Sequence, residues 1–178
     1  MPRYTARMST SSLPEVWLRG AVEGYPAELQ PVVHALLQAQ EDVEATLGTL
    51  AVDEIWATPG GAASIGFHAR HLAGALDRLF TYARGQALSE PQVVYMKAEG
   101  DPGDPPADAA ELVGLVRSGI TAALGQVRST AVSDLATPRA VGRKQLPTTV
   151  LGLLFHGAEH CTRHAGQMIT TAKIVRES

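Results

Sequence analysis

The residues best suited to chemistry are the histidines: His34, His68, His71, His156, His160 and His164. Three stand four apart in the run from Phe155 to Gln167, as His156, His160 and His164. On a helix, a step of four turns by about 40° and rises about 6 Å. Two such neighbours can hold one ion from a single helix face, as the spaced histidines of zinc-binding helices do. Three in a row drift by about 80°, so all three on one ion is disfavoured. The spacing predicts one ligating pair, with the remaining histidine behind it or in the core.

A pair is not yet a site. A catalytic divalent ion wants three protein ligands and an open position. The third ligand must come from elsewhere, and His68 and His71 are the candidates, three apart in a second histidine segment. Leu72 and Leu76 beside His71 suggest that it faces inward. The spacing leaves open whether His68 or His71 ligates, and whether the pair is His156–His160 or His160–His164. His34 stands alone and reads as a core or surface histidine. Imidazole donors accept zinc, nickel, copper, iron or manganese, so the ion is not fixed by the residues.

Other polar residues nearby read more plainly. Glu159 follows the helix about 100° away from its ligand neighbour, so it is expected to be solvated or at a helix interface rather than a catalytic base. Cys161 is turned off the ligand face and reads as a small buried apolar residue. Gln167 is either a hydrogen-bonding neighbour of the site or a core polar residue. Arg70 and Arg163 are expected in salt bridges or solvent. Trp56 and Pro59 are expected to pack at a helix link.

Four amphipathic segments must position these residues. Leu29, Val32, Val33, Leu36, Leu37, Val43 and Leu47 recur at threes and fours between Pro26 and Leu50. Thr58–Gly61 is a turn, and Ser64 is the expected N-cap of a second helix running to about Arg84, where Gly85 stops it. Leu88 to Ala107, rich in proline, reads as a long irregular connection. Asp108 caps a third helix with a stripe from Leu112 to Val127. Thr130 to Gln145 is a further connection, and Pro147 opens a last helix that runs to about Val175. The expectation is an all-α protein, a four-helix bundle over residues 25–178, preceded by a leader or docking segment over 1–24. In that leader, Leu13, Val16, Trp17 and Leu18 read as one short helical turn, with Trp17 as the docking side chain.

Composition narrows the function classes. The chain has 178 residues, 15 Lys+Arg against 18 Asp+Glu, and a net charge of −3. That balance argues against a nucleic-acid or membrane-surface partner. A 45% hydrophobic content supports a real core, and 5% aromatic content suits helix packing more than a β-sandwich. No apolar run is long enough to span a bilayer. The single cysteine excludes an internal disulfide and any multi-cysteine zinc site. Met1–Ser12 shows no apolar signal region, so a cytoplasmic location is expected.

Taken together, Ser64-Ile65-Gly66-Phe67-His68-Ala69-Arg70-His71-Leu72 and His160-x-x-x-His164-x-Gly166-Gln167 resemble the DinB-like (YfiT-type) superfamily, over roughly Pro26 to Ile174. The resemblance implies a bundle in up-down-down-up order, which suits the long second-to-third connection. It also implies one divalent ion held by His71, matched through Leu72, and by His160 and His164, matched through Gly166-Gln167. His68 and His156 are extra by that alignment. For function it implies a thiol S-transferase acting on a low-molecular-weight thiol, or a metal-dependent hydrolase. A homodimer is implied as well. A metal-free ligand-binding bundle, or a metal-storage or sensing protein, would need no organic substrate.

Overall fold

A computed structural model describes residues 13–177. The expectation that Met1–Ser12 carries no signal region lies outside the described residues. Four long helices carry the chain: α1 (Gln30–Leu47), α3 (Ile65–Ala83), α5 (Ala109–Ser129) and α6 (Val150–Glu177). Two shorter ones, α2 (Val52–Trp56) and α4 (Glu90–Ala98), lie in the links. A small antiparallel hairpin pairs β1 (Pro138–Val141) with β2 (Leu146–Thr149), with Ala140 opposite Pro147. Among the described residues, no helix is long and apolar enough to cross a membrane.

The long helices share one core. α6 packs on α1 and α3, and α5 packs on the same two. Leu36 and Leu47 of α1, Leu72 of α3, Ile120 of α5, and Leu154 and Met168 of α6 are fully buried in it. Each such side chain stabilises the fold by about 1.5–3 kcal/mol relative to exposure. The α3–α6 approach is close because Gly157 has no side chain. A Cβ there would lie 2.8 Å from the Phe80 ring and 3.2 Å from Leu76. This contact sits one turn from His160 and sets the gap that the imidazoles must bridge.

Helix ends follow their caps. The Ser64 hydroxyl accepts from Phe67 N at 3.1 Å, and Asp108 exchanges capping bonds with Glu111. Gly85, at φ 75°, ends α3 as its position suggested. Other expectations need correction. α1 begins at Gln30 after a 3-10 turn over Ala27–Leu29, rather than at Pro26. The first link carries α2 and is not a plain turn. The supposedly irregular stretch holds α4, opened by Ser89 and Gln92 in a capping box. Pro147 does not open the last helix. It sits in β2, and the Thr149 hydroxyl caps α6 by accepting from Gly152 N at 3.0 Å.

The segment before α1 docks differently from expected. Val16 is the buried side chain, at 4% exposed, whereas Trp17 is 61% exposed. Val16 N donates to the Gln38 side chain, and Arg19 pairs with both oxygens of Glu41 at 2.6 and 2.7 Å. A 3-10 turn over Val16–Arg19 puts neighbouring side chains on different faces, so the apolar Val16 turns inward and the indole outward.

Candidate metal centre

α3 and α6 bring the two histidine segments together. His71, His160 and His164 each offer a ring nitrogen, and the three nitrogens lie within 4.8 Å of one another. His71 Nε2 and His160 Nε2 are 3.0 Å apart. Two nitrogens bonded to one tetrahedral ion at 2.0–2.1 Å would be separated by about 3.3 Å, so this pair needs a shift of only a few tenths of an ångström, while the three nitrogens together would have to draw in from a spread of 4.8 Å. The His71 ring also stands edge-on to His164, with centroids 4.6 Å apart. Neutral imidazoles in this arrangement fit a borderline-soft divalent ion.

Each ring is restrained differently. His71 Nδ1 lies 2.8 Å from Glu99 Oε2, and Phe67 stacks on the ring at 5.4 Å. His164, 8% exposed, has its Nδ1 3.0 Å from His68 Nδ1. For His164 to present a bare Nε2, its Nδ1 must donate to His68. His160 Nδ1 is buried and has no hydrogen-bond partner among the described residues.

The electrostatics favour neutral rings. Burial, reinforced by the neighbouring histidines and Arg163, lowers the His164 pKa to about 3. Burial, with His71 and His156 adding to it, lowers His160 to about 4. His68 is also lowered, by burial and then by His71. Protons therefore leave His160 and His164 well below neutral pH, and the deprotonated ring is the state a metal ligand requires.

The remaining candidates are placed plainly. His68 stands behind His164 and outside the three. His156 is exposed, 3.3 Å from Glu159, with its ring 5.6 Å from that of His160. His34 lies on α1 and contacts Gly20 O. Glu159 pairs with Arg163 at 2.5 Å, which holds its carboxyl below the usual range. Cys161 is fully buried, and burial raises its thiol to about 12. Gln167 is exposed and so is not a core residue. Trp56 packs on Gly66 and donates from Nε1 to Ala107 O at 2.9 Å, so it closes a link. Arg70 lies over that indole and donates to Asp101 O.

Sequence reasoning missed Glu99. It is 4% exposed and lies at the end of α4, in the stretch read as irregular. Arg78, itself buried, donates from Nη1 to Glu99 Oε1 at 2.6 Å. The signal was the capping pattern Ser89-Glu90-Pro91-Gln92, which marks a helix start and so a rigid carrier for a residue ten positions on. A groove of about 320 Å³ between α3 and α5, lined in part by Gly74, Tyr95 and Gln126, includes none of the histidines. The imidazole cluster is therefore singled out by its chemistry and not by cavity size.

Comparison with known proteins bears on the fold and not on the histidines. A sequence model described as the DinB superfamily matches residues 35–168, well over half of the chain. A crystal structure described as a conserved protein of locus from Enterococcus faecalis superposes with a TM-score of 0.65 at 18% identity. The match covers 84% of this chain and 98% of that one, and at this identity it speaks for the fold alone. No curated protein matches.

Proposed function

This chain belongs to the DinB superfamily, and from that premise we propose that His71, His160 and His164 hold one divalent ion in a thiol S-transferase-type enzyme. The observation that carries the reading is the convergence of three ring nitrogens within 4.8 Å, from two helices. A divalent ion held by neutral imidazoles supplies a Lewis acid that lowers the pKa of a thiol or a water. Zinc, nickel and iron suit the imidazole donor set best, and manganese, which prefers oxygen ligands, suits it less.

What the chain's own residues do supports transfer over hydrolysis. A hydrolase wants a proton-transfer group free to act beside the ion. Glu99 and Glu159, the carboxylates that touch histidines here, are each engaged by an arginine. Thiol transfer asks less of them. A sulfur–carbon bond forms, the bond from carbon to its leaving group breaks, and the thiol proton passes to solvent. His71, His160 and His164 would orient the reacting centre, and Phe67 stacks on the His71 ring.

The proposal extends to a cytoplasmic homodimer acting on a small molecule, with neither nucleic acid nor membrane as partner. The near-balanced charge supports the exclusion of nucleic acid and membrane. We also read the long helices as an up-down-down-up bundle. Ala73 beside Gly119, and Phe80 O bonded to Gln126, support a parallel α3–α5 pair. His71–His160 and His68–His164 support an antiparallel α3–α6 pair, and Glu44–Arg117 together with Tyr25–Arg128 an antiparallel α1–α5 pair.

The test loads the protein separately with zinc, nickel and manganese. It then follows thioether formation between a low-molecular-weight thiol and a chlorinated aromatic electrophile, beside hydrolysis of a nitrophenyl ester. Metal-dependent thioether formation, lost in His164→Ala, is expected. Metal-dependent hydrolysis without thioether would instead make the protein a hydrolase. Turnover of neither would favour a binding or storage role.

A further inference from the structure

We infer that Glu99 is the positioning residue for His71. Its carboxylate fixes the imidazole with Nδ1 protonated and Nε2 bare, and Arg78 and Gly74 hold the carboxylate in place. The inference rests on the metal reading only for what the bare Nε2 faces.

The chemistry of the pair sets the tautomer. A carboxylate only accepts hydrogen bonds, and a neutral imidazole carries one N–H. With Glu99 Oε2 2.8 Å from Nδ1, the proton belongs on Nδ1 and the lone pair on Nε2. This carboxylate–histidine arrangement is how metal-ligating imidazoles are commonly oriented and made more basic. The proton placement also continues along the cluster. His71 Nε2 then accepts from His160 Nε2 across 3.0 Å, so the one proton of neutral His160 lies on its Nε2. His160 Nδ1 is left as a bare lone pair, and it is this atom that is buried without a partner. In the metal-free protein the orphan is thus an acceptor, and an ion held at His160 Nε2 would require that proton to sit on Nδ1 instead.

Burial shows that Glu99 is held for a purpose other than apolar packing. A buried carboxylate is costly unless it is paired and hydrogen-bonded. Here both oxygens are used, Oε1 by Arg78 at 2.6 Å and Oε2 by His71. The helix that carries it, α4, has no buried residue of its own. Polar ties lay it along α3 instead, with Gln92 on Asp77 and Thr81, and Tyr95 Oη donating to Arg70 O at 3.1 Å. Gly74 of α3 makes the room. A Cβ there would lie 2.5 Å from Glu99 Oε1 and 2.5 Å from Tyr95 Cε1.

The test combines a spectroscopic and a binding readout. Nitrogen-15 spectra of the metal-free protein at about pH 8 report the His71 tautomer. Zinc affinity is measured by competition with a chelator. Glu99→Gln keeps the shape and removes the carboxylate. In Glu99→Gln, Arg78 holds the amide oxygen and turns the NH2 toward Nδ1; the double variant Arg78→Met/Glu99→Met leaves no acceptor for Nδ1 and also removes the cation that would be stranded, so a well-folded protein is available either way. Wild-type His71 is expected as the Nδ1–H tautomer. Both variants are expected to lose that preference and to bind zinc about 10–100-fold more weakly. A wild-type His71 protonated on Nε2, or a tautomer and an affinity unchanged in both variants, would overturn the inference. If the wild type shows the Nδ1–H tautomer and the variants lose it, yet no protein binds an ion, the positioning role stands and the metal reading falls.

Discussion

Gly74→Ala is a small change with a large lever. The added methyl would sit 2.5 Å from both Glu99 Oε1 and Tyr95 Cε1. Ordinary contact between carbon atoms is about 3.5–4.0 Å, so the end of α4 must retreat by about 1 Å or more. A retreat of that size stretches the 2.8 Å contact from Glu99 to His71 and the 2.6 Å contact to Arg78 past hydrogen-bond reach. Two stability effects oppose each other. Alanine favours the helix over glycine by about 0.8–1.0 kcal/mol. Overpacking costs about 1–3 kcal/mol, so the net loss is about 0–2 kcal/mol. For a chain of this size that lowers Tm by at most about 8 °C. Zinc affinity is expected to fall by the same 10–100-fold as in Glu99→Gln, because the same restraint on His71 is lost. Thermal melts of the metal-free protein and chelator competition measure both. A raised Tm with zinc affinity within about twofold of wild type would show that α4 yields without moving Glu99, and would refute the reasoning.

Other expected outcomes follow from burial and charge. His160 and His164 bind protons less readily folded, with pKa values of about 4 and about 3, than unfolded, near 6.5. Their contribution to stability is complete above about pH 6.5 and is lost as pH falls toward those folded values. Urea midpoints of the metal-free protein between pH 4 and 7 should therefore drop on acidification. The drop should be shallower in His160→Gln/His164→Gln, and an unchanged slope would contradict the assignment. Cys161 should resist a thiol reagent at about pH 8 in the folded protein and react fully in denaturant, since burial raises its thiol to about 12. Labelling of the native protein at the denatured rate would contradict this. Leu154→Ala should cost about 2–5 kcal/mol by urea unfolding, because Leu154 is fully buried among the long helices. A loss below about 1 kcal/mol would mean that the site collapses around the cavity.

The long helices were legible because each carries a period near 3.6 and a recognisable start. Ser64 and Asp108 cap as their types suggest, and Gly85 stops α3. α4 was not legible by periodicity, because it buries no residue and so has no stripe. Its capping box was visible, but proline content outweighed it. The β1–β2 hairpin was hidden by its brevity and its Arg143-Lys144 turn. Pro147 was therefore read as a helix start, although the Thr149 hydroxyl beside Val150 is the better cap. At the site, helical spacing brought the right segments into view and left the choice among five histidines open. The structure gathers His71, His160 and His164, puts His68 behind His164, and leaves His156 exposed. The capping box could have revealed the helix that carries Glu99, but not its pairing with His71, which spans 28 residues through a tertiary contact.

The most direct test of the central claim is elemental analysis of purified, untagged protein beside a His71→Ala/His160→Ala variant, after both have been offered zinc, nickel and manganese. About one ion per chain in the wild type and none in a variant that remains folded is the expected result. No ion in either protein, or the same content in both, would contradict it.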